Sequence, residues 1–253
     1  MKRQIDTDRF PEWQPFVDAV QQRRPNAGTW CEAWTVHDIV AHQAANAEEL
    51  ARALGAHLEG ETVETRGFER EDPLRAMNDW DLWDALHDRM ATLNDVAAAA
   101  DGVPGDADVA WTGRTMNVPW FAEHMREELV LHGWDITGDD PAAQARLAEP
   151  WMTTHSFVAV GRPLLAKGAR TVRPGERIQA RLRVPDADDV VITADADQAT
   201  IGMAAPEGTA TLETDAAARV LLLWGRRPGN PSRICSGAGP EILGQVRRLL
   251  SGY

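Results

Sequence analysis

Two separated stretches of the chain hold residues that can bind a metal ion. In the first, His42 shares a helical stripe with Ile39 and Asn46. In the second, Phe121, His124, Glu128, His132 and Asp135 are spaced three, four, four and three residues apart, so they fall on one helical face. Phe121, with Met125 and Leu129 beside it, points that face at a protein interior. A Glu and a His one turn apart, joined by a His from a facing helix, form the kind of three-ligand cluster that helix bundles build in their cores. Imidazole nitrogen and carboxylate oxygen suit zinc, and also nickel, iron or manganese. Three protein ligands leave one position for water or a thiol, and a thiol on zinc loses its proton near neutral pH. Asp135, one turn past His132, is placed to hold an imidazole from behind.

Plainer readings of these residues stay open. Glu128 and His132 also make an ordinary i,i+4 pair on a solvated face. Against this, Glu123, Arg126 and Glu127 already supply the outer faces of that helix. His124 is either a further ligand or polar lining. His37 points elsewhere and is expected at the surface, and His57, His87 and His155 have no partner legible in the sequence. There is no His-Glu-x-x-His motif, no nucleophile elbow around a serine, and the run Gly225 to Gly229 is too short for a phosphate loop.

Helices must position these residues. Pro11 to Arg24 is a short amphipathic segment with Trp13, Phe16, Val17 and Val20 on one side. Thr35 reads as an N-cap, with Asp38 three residues on closing a capping box, and the helix runs to about His57. Gly60 to Asp72 reads as loop. Asp72-Pro73 then opens a third helix carrying Met77, Trp80, Trp83, Leu86, Met90, Leu93 and Val96. Gly102 to Arg114 reads as loop, and Pro119 opens a fourth helix that ends before Gly138. Four such helices make a bundle. Beyond Trp151 the pattern changes. Trp151 to Lys167 is helical with a break at Gly161 and Pro163. Short strands follow at 177–184, 190–193 and 209–214, then a helix capped by Asp215 and stopped at Gly225, and a last helix from Pro240. The fold class is therefore an N-terminal four-helix bundle (1–150) followed by a smaller α+β domain (151–253).

Charge supports the division. Residues 1–150 hold 13 basic and 29 acidic side chains, a net of −16, while 151–253 hold 13 and 10, a net of +3. The overall −13 disfavours nucleic acid and anionic membrane surfaces as partners. No apolar run reaches the ~20 residues that span a bilayer, no secretory signal follows the N-terminus, and two distant cysteines suit a reducing compartment. A cytoplasmic location is expected. Ten tryptophans read first as packing.

The segment Trp34-Thr35-Val36-His37-Asp38-Ile39-Val40-Ala41-His42 resembles the second-helix signature of mycothiol-dependent maleylpyruvate isomerase-like proteins, part of the DinB superfamily of metal-binding bundles. Glu127-Glu128-Leu129-Val130-Leu131-His132-Gly133-Trp134-Asp135 is similar to that family's second signature, and Leu221-Leu222-Leu223-Trp224-Gly225-Arg226 resembles its C-terminal, sterol-carrier-like α+β domain. The resemblance implies zinc on His42, Glu128 and His132, and mycothiol as cosubstrate. It implies cis–trans isomerisation of a small electrophilic, carboxylate-bearing acid by addition and loss of the thiol. It also implies a catalytic role for Arg226 at a substrate carboxylate, for which a plain salt bridge is the equal alternative. Some relatives are transferases that keep the adduct. A thiol-independent zinc hydrolase, with His124 or Asp135 as base, and a non-catalytic binding module are the competing functions.

Overall fold

The computed structural model describes residues 3–112, 114–158 and 162–250. The chain divides into two compact units, Met1–Thr137 and Gly138–Tyr253.

In the first unit, α1 (Trp13–Gln21), α2 (Val36–Leu58), α4 (Asp79–Ala99) and α5 (Val118–Thr137) form the bundle, with α2 packed on α4 and α5, and α1 on α5. The start of α2 is set by a full capping box. The Thr35 side chain accepts from the Asp38 backbone N–H, and the Asp38 carboxylate accepts from the Thr35 backbone. The segment expected to be loop ends in a 3₁₀ turn, Phe68–Glu71, and the helix expected from Asp72-Pro73 makes only one turn there, α3 (Asp72–Arg75). The long third helix therefore does not begin at Asp72-Pro73. It begins at Asp79, because Asn78 caps it by accepting from the N–H groups of Trp80 and Asp81. That shift leaves Trp80 in the first turn. Leu82, Leu86, Met90, Leu93 and Ala97 face the core, while Trp80 is 83% exposed. The region expected to be loop before α5 holds a hairpin, β1 (Asp108–Trp111) with β2 (Arg114–Asn117), which buries Val109, Trp111 and Met116.

In the second unit, α6 (Pro141–Leu147), α7 (Pro150–Ser156) and α8 (Arg162–Ala169) lead into a five-stranded sheet. The break expected at Gly161 lies outside the described residues. The sheet comprises β3 (Ile178–Arg183), β4 (Asp189–Ala194), β5 (Ala199–Ala204), β6 (Leu212–Thr214) and β7 (Ile234–Ser236), in the order β5-β4-β3-β6-β7. Strand β3 pairs antiparallel with β4, as its alternation suggested, but parallel with β6. Ile178, Ala180, Leu182 and Val184 are all buried, and Gln179 is exposed. Helices α9 (Ala216–Leu223) and α10 (Pro240–Leu250) close the core through Leu222, Val246 and Leu249, joined by Leu165 of α8. Helices α8 and α10 approach so closely at Gly168 that an added Cβ there would overlap the Leu249 carbonyl. Among the described residues no helix is long and apolar enough to cross a membrane.

Candidate metal centre

Helices α2 and α5 bring the three expected ligands together. Position 42 lies two turns inside α2, on the face that buries Ile39 and Asn46. On α5, Phe121, His124, Glu128, His132 and Asp135 are all buried. The helix is more enclosed than its sequence suggested. Glu127, expected on an outer face, has no exposed surface.

The Nε2 atoms of His42 and His132 each lie 3.3 Å from Glu128 Oε2. The donor atoms of all three residues sit within 4.8 Å of one another. Each imidazole also has a carboxylate behind it. His42 Nδ1 is 2.7 Å from Glu71 Oε1, and His132 Nδ1 is 2.8 Å from Asp135 Oδ2. A ring nitrogen facing a carboxylate carries its proton there, which leaves the other nitrogen bare. Two bare nitrogens would then meet an anionic oxygen, three acceptors that face one another, with the amides of Asn46 (3.1 Å from His42 Nε2) and Gln43 (3.5 Å from Glu128 Oε2) at their edge.

A cation between them removes that conflict. Donors held at about 2.0–2.1 Å from a tetrahedral ion lie about 3.3–3.4 Å apart. The observed spacing of 3.3 Å for both nitrogen–oxygen pairs matches. The charge balance points the same way. Burial by itself would raise the Glu128 pKa, but the imidazoles of His132 and His42 hold it well below the usual carboxylate range. Burial by itself would lower the His132 pKa, but Asp135 and Glu128 raise it above its ordinary value. The cluster attracts positive charge, whether a proton or a metal ion, and its donors fit a divalent transition metal.

Several side chains of the centre were not legible as site residues. The Trp34 ring lies 5.9 Å from that of His132 and nearly parallel to it, and 5.0 Å from that of His42. Phe68, 54% exposed, stands 6.5 Å from His42. Glu71 comes from the segment expected to be loop. Only its acidic character hinted at a role, since nothing in the local pattern ties it to His42, 29 residues away. His124 stacks on Trp120 at 4.3 Å, with its Nε2 3.7 Å from Glu128 Oε1. His37 is half-buried, not exposed, because its ring bridges Asp79 and the Arg75 carbonyl. His57 and His87 are half-buried on helices of the bundle, and His155 is buried in the second unit. Arg226 also belongs to the second unit. It follows Gly225, whose φ of +72° ends α9, and donates to the Trp224 carbonyl at 3.1 Å.

The fold is similar to two crystal structures over 92% of both chains, each with a TM-score of 0.61. One is the mycothiol-dependent maleylpyruvate isomerase, at 16% identity. The other is a histidine-to-alanine mutant of the mycothiol-dependent maleylpyruvate isomerase, at 15% identity. No curated protein matches the sequence. The family model described as the mycothiol maleylpyruvate isomerase N-terminal domain matches residues 10–137, which span the bundle and all three clustered donors. By that match the chain belongs to the family of this domain, a family of enzymes named for an isomerase.

Proposed function

We propose that the chain is a zinc-dependent enzyme that uses mycothiol to isomerise a small cis-unsaturated acid. The observation that carries this reading is the buried His42, Glu128 and His132 cluster, whose donors lie within 4.8 Å of one another and whose two nitrogen–oxygen pairs are 3.3 Å apart. Three protein ligands are the number found where one position is kept for a reactant. When bound, the metal would lower the pKa of a thiol so that it is presented as a thiolate.

The remaining chemistry falls to the substrate and to this chain. The sulfur bonds to one alkene carbon and the alkene pair moves onto the conjugated carbonyl oxygen. The carbon–carbon bond, now single, rotates. The pair then returns, the carbon–sulfur bond breaks and the thiolate leaves, so no oxidant or second reactant is consumed. His42, Glu128 and His132 hold the ion, and Trp34 restricts water around the two imidazoles. Arg226 is assigned to the substrate carboxylate, which a guanidinium binds through two parallel hydrogen bonds. The basic balance of 151–253 supports that assignment. A cytoplasmic location suits a chain with only two cysteines, Cys31 and Cys235, far apart in sequence, and the acidic net charge disfavours nucleic acid.

The test combines elemental analysis with turnover of maleylpyruvate, with and without mycothiol. Expected are about one zinc per chain, turnover only with the thiol, and a thiol concentration unchanged at the end. Stoichiometric loss of thiol would make the enzyme a transferase. Hydrolytic cleavage of a substrate without thiol would make it a hydrolase, and absence of both metal and turnover would leave a binding module.

A further inference from the structure

We infer that Glu71 is a positioning residue that fixes the orientation and tautomer of His42 for metal binding. The inference rests on reading His42, Glu128 and His132 as metal ligands, and it adds a residue outside both helices.

The hydrogen bonds around His42 leave one consistent assignment of protons. Arg70 Nη2 can only donate, and it lies 2.6 Å from Asn46 Oδ1, so that atom is the amide oxygen. The Asn46 amide nitrogen therefore faces His42 Nε2, at 3.1 Å, and donates to it in the metal-free protein, a bond that a metal on Nε2 would replace. Nε2 must then be bare, and the ring proton sits on Nδ1. There Glu71 Oε1 accepts it at 2.7 Å. Glu71 is 2% exposed, so water cannot take over this contact.

Glu71 is itself held. Its Oε2 accepts from Arg75 Nη2 at 2.8 Å. Arg75 also pairs with Asp38 and lies 4.9 Å over the Trp34 ring. Asp38 closes the capping box that starts α2, the helix carrying His42. The carboxylate behind His42 is thus tied to the N-terminus of His42's own helix. On α5 the same task falls to Asp135, three residues from His132.

The experiment is titration of the metal-free, full-length protein with Co²⁺ and Zn²⁺ against a competing chelator. It compares the wild type, Glu71→Gln, Glu71→Ala and a control, Glu12→Gln, which alters a buried carboxylate paired with Arg126 away from the cluster. Glu71→Ala should weaken metal binding by about 10–100-fold, the usual effect of losing a partner behind a ligand. Glu71→Gln, which keeps an acceptor but not the charge, should fall between Ala and wild type. The cobalt absorption bands should shift in both, and the control should leave affinity and bands unchanged. Unchanged affinity and bands in folded Glu71 variants would overturn the inference, including the case where only thermal stability drops. A wild-type protein that binds neither ion would overturn the ligand reading itself. Should both variants fail to fold, nitrogen NMR of the metal-free wild type decides. The neutral His42 ring should carry its proton on Nδ1, and a proton on Nε2 would overturn the inference.

Discussion

Glu128 in the helical unit and Asp189 in the α+β unit are both buried carboxylates, but they are compensated differently. Asp189 has no exposed surface and accepts three guanidinium hydrogen bonds, from Arg181 Nη1 at 2.7 Å and from Arg183 Nε and Nη2 at 3.0 and 2.7 Å. Its charge is met by fixed cations that remain charged at any working pH. Glu128 is met by two imidazoles whose Nδ1 atoms face other carboxylates, and the amide donor Gln43 Nε2 lies 3.5 Å from its Oε2. A carboxylate already neutralised by arginine holds structure together. One whose neighbours are still short of positive charge is equipped to bind something.

The sharpest way to break this contrast is Glu128→Gln. Metal binding should be lost, while the melting temperature of the metal-free protein should fall less than in Asp189→Asn, measured side by side by scanning calorimetry. A larger fall for Glu128→Gln would remove the distinction. Asp189→Asn should destabilise by about 1–3 kcal/mol, discounted from a fully buried pair because both arginines are partly exposed. In a chain this long that is roughly 2–4 °C per kcal/mol. Its pH signature follows from direction. Arg183 chiefly, then Arg181, holds the folded Asp189 pKa below its ordinary value. The stabilisation is present above the unfolded carboxylate's pKa and is lost as pH falls through the lower, folded value. The gap between wild type and Asp189→Asn should therefore narrow from about pH 7 to about pH 3. A constant gap would mean that Asp189 acts through packing alone. The smallest effect should come from Thr35→Ala. Loss of this cap should cost about 1 kcal/mol in denaturant unfolding, with the metal affinity nearly kept. A large loss of affinity would show that the start of α2 directly shapes the centre.

The parts of the fold legible in the sequence are those with local causes. The capping box at Thr35, the N-cap at Asp215 and the alternation from Ile178 to Val184 each operate within a few residues. So does the stripe on α5, which brought His124, Glu128, His132 and Asp135 to one face. The misreadings have non-local causes. Trp80 looked like core because its spacing fits the stripe, but with the helix starting at Asp79 it falls in the exposed first turn. Strands β5 and β7 each bury a single residue, and they pair with the edges that β4 and β6 offer. Glu71 carries no periodic signal at all. Its place is set by where the chain returns after leaving α2.

That return gives the two halves of the centre different histories. Glu128, His132 and Asp135 come into line as soon as one helix winds, at almost no cost in loop closure. His42 gains its backing carboxylate only when the chain folds back over 29 residues, so half of the centre is set by local order and half by a tertiary contact.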